Sequence, residues 1–311
     1  MPEKRYRLLT RSDLDGVASA ALLKARGMID DIVFVHPKDV QDGKVEITER
    51  DITTNLPYSP KCHLAFDHHA SETERIGGQK PANLILDSTA PSATQVVYRY
   101  FGGKKGFPTI RESLLEAVNK VDSGQFSREE ILDPAGWILL GFLMDARTGL
   151  GRFRSFDVSN YQLMMALVDS CGTLEVDDIL KLPDVAARVA LYREHRVPFL
   201  EQLTRRGTVH ANLVEVDLRS EETIYVGNRF VIYALYPKCN ISMHVMWGRG
   251  KRNIVFAIGK SILNRTSKTH VGSLALKYGG GGHEAAGTCQ VETARAETVR
   301  AELIKQITTD G

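Results

Sequence analysis

Cysteine is scarce in this sequence: Cys62, Cys171, Cys239 and Cys289 are the only four in 311 residues, far apart and without a CxxC pair. That excludes a disulfide scaffold and a paired-cysteine metal knuckle, and makes reduced thiols the expectation. Long apolar runs are missing too. None reaches the roughly 18 residues of a membrane span, and the opening stretch MPEKRYRLLTRSD carries charges without the apolar core of a signal peptide. A cytoplasmic protein with no membrane partner is therefore expected. Net charge is nearly absent: 40 Lys and Arg against 38 Asp and Glu leave +2, too little for strong non-specific attraction to nucleic acid. Any basic surface must be local. What is present is an ordinary globular composition, 43% hydrophobic and 25% charged, in a chain longer than one hydrophobic core usually needs. Two domains are expected.

The first stretch alternates short apolar runs with helical ones. Tyr6 to Thr10 reads as a strand leading into Arg-Ser-Asp-Leu-Asp-Gly and the helix-like GVASAALLKA, which Gly27 can close. DIVFVH, HLAFD and NLILD read as further buried strands, and PSATQVVYRYF as a helix with Pro91 in its first turn. This order predicts an α/β domain with a mostly parallel sheet. After Pro108 come some eighty residues of helical pattern, ending in AARVALYREHRVPFLEQL, which Pro198 is expected to kink or split. From Thr208 the pattern changes to strands, VHANLVEVDL, ETIYVG, RFVIYAL and NIVFAIG, then a helical stretch, a glycine run, TCQVE and a last helix. The division expected is 1–195 for the first domain, 196–207 for a linker and 208–311 for the second. No internal repeat is visible.

Three segments carry chemistry. Asp13 and Asp15 stand where a strand feeds a helix, the usual ligand position of open α/β sheets, and carboxylate oxygens there suit Mg²⁺ or Mn²⁺. A plain helix N-cap is the alternative for such an aspartate. Asp67, His68 and His69 follow HLAF directly, placing three metal-competent groups at the end of a buried strand, where core packing explains them poorly; the alternative is a polar turn with one satisfied histidine. Gly279, Gly280, Gly281 and Gly282 precede His283. Four ordered glycines are costly, so close approach to a ligand is expected, with backbone N–H groups and His283 facing a phosphate. A fourth segment, DARTGLGRFRSFD at 145–157, gathers Arg147, Arg152 and Arg154 with Phe153 and Phe156. It suits phosphate contact and stacking, or is merely a solvated connection. His63, Cys239 and His244 are read as packing residues.

Taken in order, RSDLDGVASAALL, FDHHAS, VDSGQF and KYGGGGHEAAG resemble the DHH phosphoesterases with a C-terminal DHHA1 domain, across nearly the whole chain. The resemblance implies an N-terminal parallel-sheet domain with a helical extension, a smaller α/β domain and an active-site cleft between them. It implies hydrolysis of phosphodiester or phosphoanhydride bonds in short oligonucleotides, cyclic dinucleotides or polyphosphate, with Mn²⁺ or Mg²⁺, and a homodimer. By the same resemblance Asp13, Asp15, His68 and Asp122 are metal ligands and Asp67 supports them. His69, Arg265, His283 and Gly279 to Gly282 face the substrate.

Two positions depart from the family pattern. Arg11 stands where a histidine is usual, and the strand-end aspartate of the second motif falls by spacing on Asn55, with Asp51 as the alternative. Together these make the site two charge units more positive, the charge of one divalent cation, and a guanidinium cannot ligate a metal. One ion rather than two is expected, held by Asp15, His68 and Asp122 with Asn55 as a further candidate. Arg11 and His283 would then stabilise the phosphoryl group, while Asp13 pairs with Arg11 or acts as a base. The competing reading is a pseudoenzyme that binds a nucleotide without hydrolysing it.

Overall fold

In the computed structural model, which describes residues 5–153 and 156–311, the early apolar runs pair as parallel strands. Residues 1–4 and Arg154 lie outside the described residues. β1 (Tyr6–Thr10), β2 (Ile29–Phe34), β3 (Asp51–Thr54), β4 (Leu64–Asp67) and β5 (Leu84–Leu86) lie in the order β2-β1-β3-β4-β5. Every pairing among them is parallel. Leu8, Leu9, Ile52, Ala65 and Phe66 are all buried, as expected for a sheet covered on both faces. The helix Leu14–Ala25 is buried from Leu14 through Leu23. Its run of small residues, Ala18 to Ala21, lets it pack closely among the helices Ala93–Tyr100, Glu112–Ser123 and Asn160–Thr173.

The chain folds as two units, Met1–Gln125 with Pro134–Ala190 and Phe126–Asp133 with Leu191–Gly311. Residues 196–207, expected as a linker, form the helix Arg196–Arg206 and the first residue of a strand. The helical run does break near Pro198: the helix Pro183–Glu194 ends before His195, and Pro198 sits in the first turn of the next helix, where a missing N–H costs nothing.

The second unit is built on β6 (Gly207–His210), β7 (Leu213–Asp217), β8 (Ile241–Trp247), β9 (Asn253–Lys260), β10 (Gly281–Gly282) and β11 (Ala286–Glu292), in the order β10-β11-β9-β8-β7-β6. Only β7 and β8 pair in parallel. Ile241, Met243, Val245, Ile254, Phe256 and Ile258 form its core with Leu303 and Ile307 of the helix Ala296–Asp310. Each such buried apolar side chain contributes about 1.5–3 kcal/mol.

Two expected strands are absent here. RFVIYAL contains the short helix Val231–Leu235, buried at Val231 through Ala234; a short apolar run packed on several sides does not reveal its period. ETIYVG joins no sheet among the described residues, and two of its N–H groups are taken by side chains: Tyr225 N donates to Gln202 Oε1 at 3.2 Å and Val226 N to His195 Nδ1 at 3.1 Å. No described helix is long and apolar enough to cross a membrane.

Candidate active site

Parallel pairing brings the carboxyl ends of β1, β3 and β4 to one level, with Thr10 opposite Thr54 and Thr54 opposite Phe66. The residues at and just beyond those ends are Arg11 to Asp15, Asn55, and Asp67 to His69. Hydroxyls lock the rim, since Thr54 Oγ1 donates to Thr10 Oγ1 at 2.7 Å. The helix Glu112–Ser123 delivers Asp122 in its last turn and ends on left-handed Gly124.

Asp15 lies 2% exposed at the start of the first helix. Both its oxygens accept hydrogen bonds: Oδ1 from Thr94 N at 2.8 Å, Oδ2 from Ala93 N at 3.1 Å and from Asn55 Nδ2 at 2.8 Å. The N-terminus of the helix Ala93–Tyr100 thus faces a carboxylate, a favourable electrostatic arrangement. Burial pushes the Asp15 pKa up to about 7, with repulsion from Asp122 and Asp13 adding to it and His68 opposing. His68 Nε2 lies 3.1 Å from Asp122 Oδ2. Burial alone would lower the imidazole pKa, but Asp122, Asp15 and Asp67 outweigh it and raise the value to about 9.

Asp13 has two structural tasks. Its Oδ1 accepts from Gly16 N at 3.0 Å, the N-cap of the first helix, and its Oδ2 lies 3.2 Å from Arg11 Nε. Burial raises its pKa, against the pull of Arg11. Asp67 orients the histidine pair: its Oδ1 accepts from His68 N at 2.8 Å and is 2.8 Å from His69 Nδ1, which places the proton of His69 on that nitrogen. Asp51, the alternative to Asn55, stands at the amino end of β3. It is held by Arg7 Nε at 2.7 Å and Thr48 N at 2.6 Å, so it serves the opposite end of the sheet.

Among the described residues, Asp15, His68 and Asp122 bring ligand atoms within 4.8 Å of one another, and Asp67, His68 and His69 do the same. Asp13 belongs to neither group. Among the described residues, two buried polar atoms here find no hydrogen-bond partner, His68 Nε2 in the first group and Asn55 Oδ1 beside it; the contact of Nε2 with Asp122 is close but lacks hydrogen-bond alignment. Leaving such atoms unsatisfied costs about 1–3 kcal/mol each. An imidazole nitrogen and an amide oxygen beside two carboxylates are the mixed donor set a Mn²⁺- or Mg²⁺-like cation takes, so these residues fit one ion.

The glycine run and its neighbours lie in the second unit. Gly281 and Gly282 pair with Thr288 and Gly287 of β11. A Cβ on Gly280 would meet Thr288 O at 2.1 Å, and one on Gly282 would meet Ala286 O at 2.2 Å, so close backbone approach explains the glycines there. His283 and Arg265 are exposed, and Arg265 Nε donates to Ile262 O at 3.1 Å. Ala93 and Thr94, whose N–H groups hold Asp15, carry no ligand motif in the sequence. The polar start of PSATQ is the signal there.

No protein-family model matches the chain, and no curated protein does. Among solved structures, the pGpG-specific phosphodiesterase PggH from Vibrio cholerae is 58% identical, with a TM-score of 0.86, over 99% of this chain and all of the other. The chain belongs to the DHH phosphoesterase family. Its fold is that of a DHH domain joined to a DHHA1 domain, and as a DHH phosphoesterase it is a hydrolase. CDC45 from Entamoeba histolytica, 10% identical with a TM-score of 0.57 over 98% of this chain and 96% of its own, shares the fold. Arg11 forms an ion pair with Asp13, and Asn55 donates to Asp15.

Proposed function

We propose that this chain hydrolyses the phosphodiester bond of a short linear dinucleotide of the pGpG type, using one divalent cation. The observation that carries the substrate is 58% identity over the full length with a pGpG-specific phosphodiesterase. Asp15, His68 and Asp122 would hold the ion, with Asn55 Oδ1 as the neutral fourth donor. A cation bound there supplies positive charge for the phosphoryl oxygens and lowers the pKa of water.

The chain's own residues supply the remainder. Arg11 neutralises Asp13 and carries charge to the mouth of the site, as Asn55 and two backbone N–H groups fix Asp15. His69, its Nδ1 held by Asp67, presents Nε2 for proton exchange with the substrate. Arg265 and His283 are proposed phosphate contacts of the second unit. Four free, buried cysteines accord with action in a reducing, cytoplasmic setting.

Purified chain is tested with pGpG, longer oligonucleotides, cyclic di-GMP and polyphosphate, with Mn²⁺ or Mg²⁺ added. Turnover of pGpG that is lost in His68→Ala supports the proposal. Tight binding of pGpG without turnover under any metal would establish the pseudoenzyme reading instead.

A further inference from the structure

The helix Gly136–Met144 approaches the site with unusual closeness. A Cβ on Gly141 would lie 3.0 Å from Val121 Cγ2 and 3.5 Å from Leu14 Cδ2. Val121 precedes Asp122, and Leu14 stands between Asp13 and Asp15. The bare backbone at Gly141 therefore seats this helix against the neighbours of three site carboxylates. One turn later the helix ends: Asp145 N donates to Gly141 O at 3.1 Å, and a short turn, Ala146–Thr148, follows.

Side-chain hydrogen bonds tie that turn to its surroundings, and it carries a cationic side chain. Asp145 Oδ1 accepts from Arg147 N at 2.9 Å and from Arg147 Nε at 2.7 Å, while buried Thr148 donates its hydroxyl to Phe142 O at 2.6 Å. Gly149, at φ +90°, then turns the chain away. Arg147 is thus fixed at one edge by Asp145, yet 56% of its side chain is exposed. Desolvation works against its charge, but Asp145, Asp13 and Asp122 hold its pKa above the ordinary arginine value, in keeping with a place within electrostatic reach of the site.

Resting on the hydrolase reading above, we propose that Arg147 binds the 5′-terminal phosphate of the dinucleotide and so determines its preference for a phosphorylated end. A linear dinucleotide of this type has two phosphates: the bridging one, which must meet Asp15, His68 and Asp122, and the terminal one. Arg147 follows the helix that packs against Val121 and Leu14, the neighbours of those ligands, and offers a planar donor suited to phosphate oxygens.

The test compares pGpG with GpG, the same dinucleotide lacking the 5′-phosphate, using Mn²⁺-loaded wild type, Arg147→Gln and Arg147→Lys. Wild type is expected to favour pGpG in kcat/KM. Arg147→Gln should lower the pGpG-to-GpG ratio about ten- to a hundredfold through KM, the scale of one charge-assisted phosphate contact, and Arg147→Lys should recover part of it. The proposal is overturned if wild type treats the two alike, or if Arg147→Gln leaves the ratio intact, whether or not overall activity falls. If wild type turns over neither, the hydrolase reading fails. Equilibrium affinities for pGpG and GpG then give the same ratio and decide the role of Arg147 separately.

Discussion

Asn55 donates its side-chain amide to Asp15 across 2.8 Å, from a left-handed backbone position at φ 56°. An aspartate at 55 could not do this: it would set a second carboxylate against one already 2% exposed. In place of repulsion that needs a cation, the site has a hydrogen bond formed by the protein itself.

Asn55→Asp should therefore make folding depend on metal. In EDTA the variant should lose about 2–4 kcal/mol, from the lost bond to a charged group and from the buried like charges. Added Mn²⁺ should raise its Tm more than that of wild type. Thermal melts of both proteins with and without Mn²⁺ check this, and equal Tm values in EDTA would refute it.

Gly281 and Gly282 should respond differently to alanine. At Gly282, φ is +152° and a Cβ would meet Ala286 O at 2.2 Å, so Gly282→Ala is expected to cost about 2 kcal/mol or more. Nothing lies within 4 Å of the corresponding position on Gly281, and Gly281→Ala should stay within about 1 kcal/mol of wild type. Urea denaturation of both variants measures the contrast.

Asp51 gives a pH dependence with a definite sign. Burial works to raise its pKa, but hydrogen bonds from Arg7 and Thr48 outweigh it and hold the carboxyl below its ordinary value. A depressed folded-state pKa contributes stability that is full above the unfolded value of about 3.9 and is lost as pH falls through the folded value. The stability gap between wild type and Asp51→Asn should be about 1–3 kcal/mol near pH 7 and should close in acid, as pH falls below the ordinary carboxylate range. Melts across that range read it, and a gap that widens in acid would contradict the assignment.

Much of the parallel sheet was legible because its strands are short apolar runs ending in chemistry-bearing residues. Asp67 closes β4, and Asp13 and Asp15 follow β1. The second unit was harder to read. Val231 to Leu235 is a helix hidden in an all-apolar run, while β8 passes unremarked although Ile241, Met243, Val245 and Trp247 alternate; Ser242, also buried, blurs its outward face. The site's residue types were visible, but the partners of Asp15 were not. Ala93 and Thr94 reach it through backbone N–H groups from 78 and 79 positions away, which no local pattern reveals.

The metal count decides most directly whether Arg11 and Asn55 have taken the place of a cation. Chain saturated with Mn²⁺ and freed of excess metal should contain one ion per chain by elemental analysis, with the six-line paramagnetic resonance spectrum of an isolated ion. His68→Ala should retain none. Two tightly held, magnetically coupled ions per chain would contradict it.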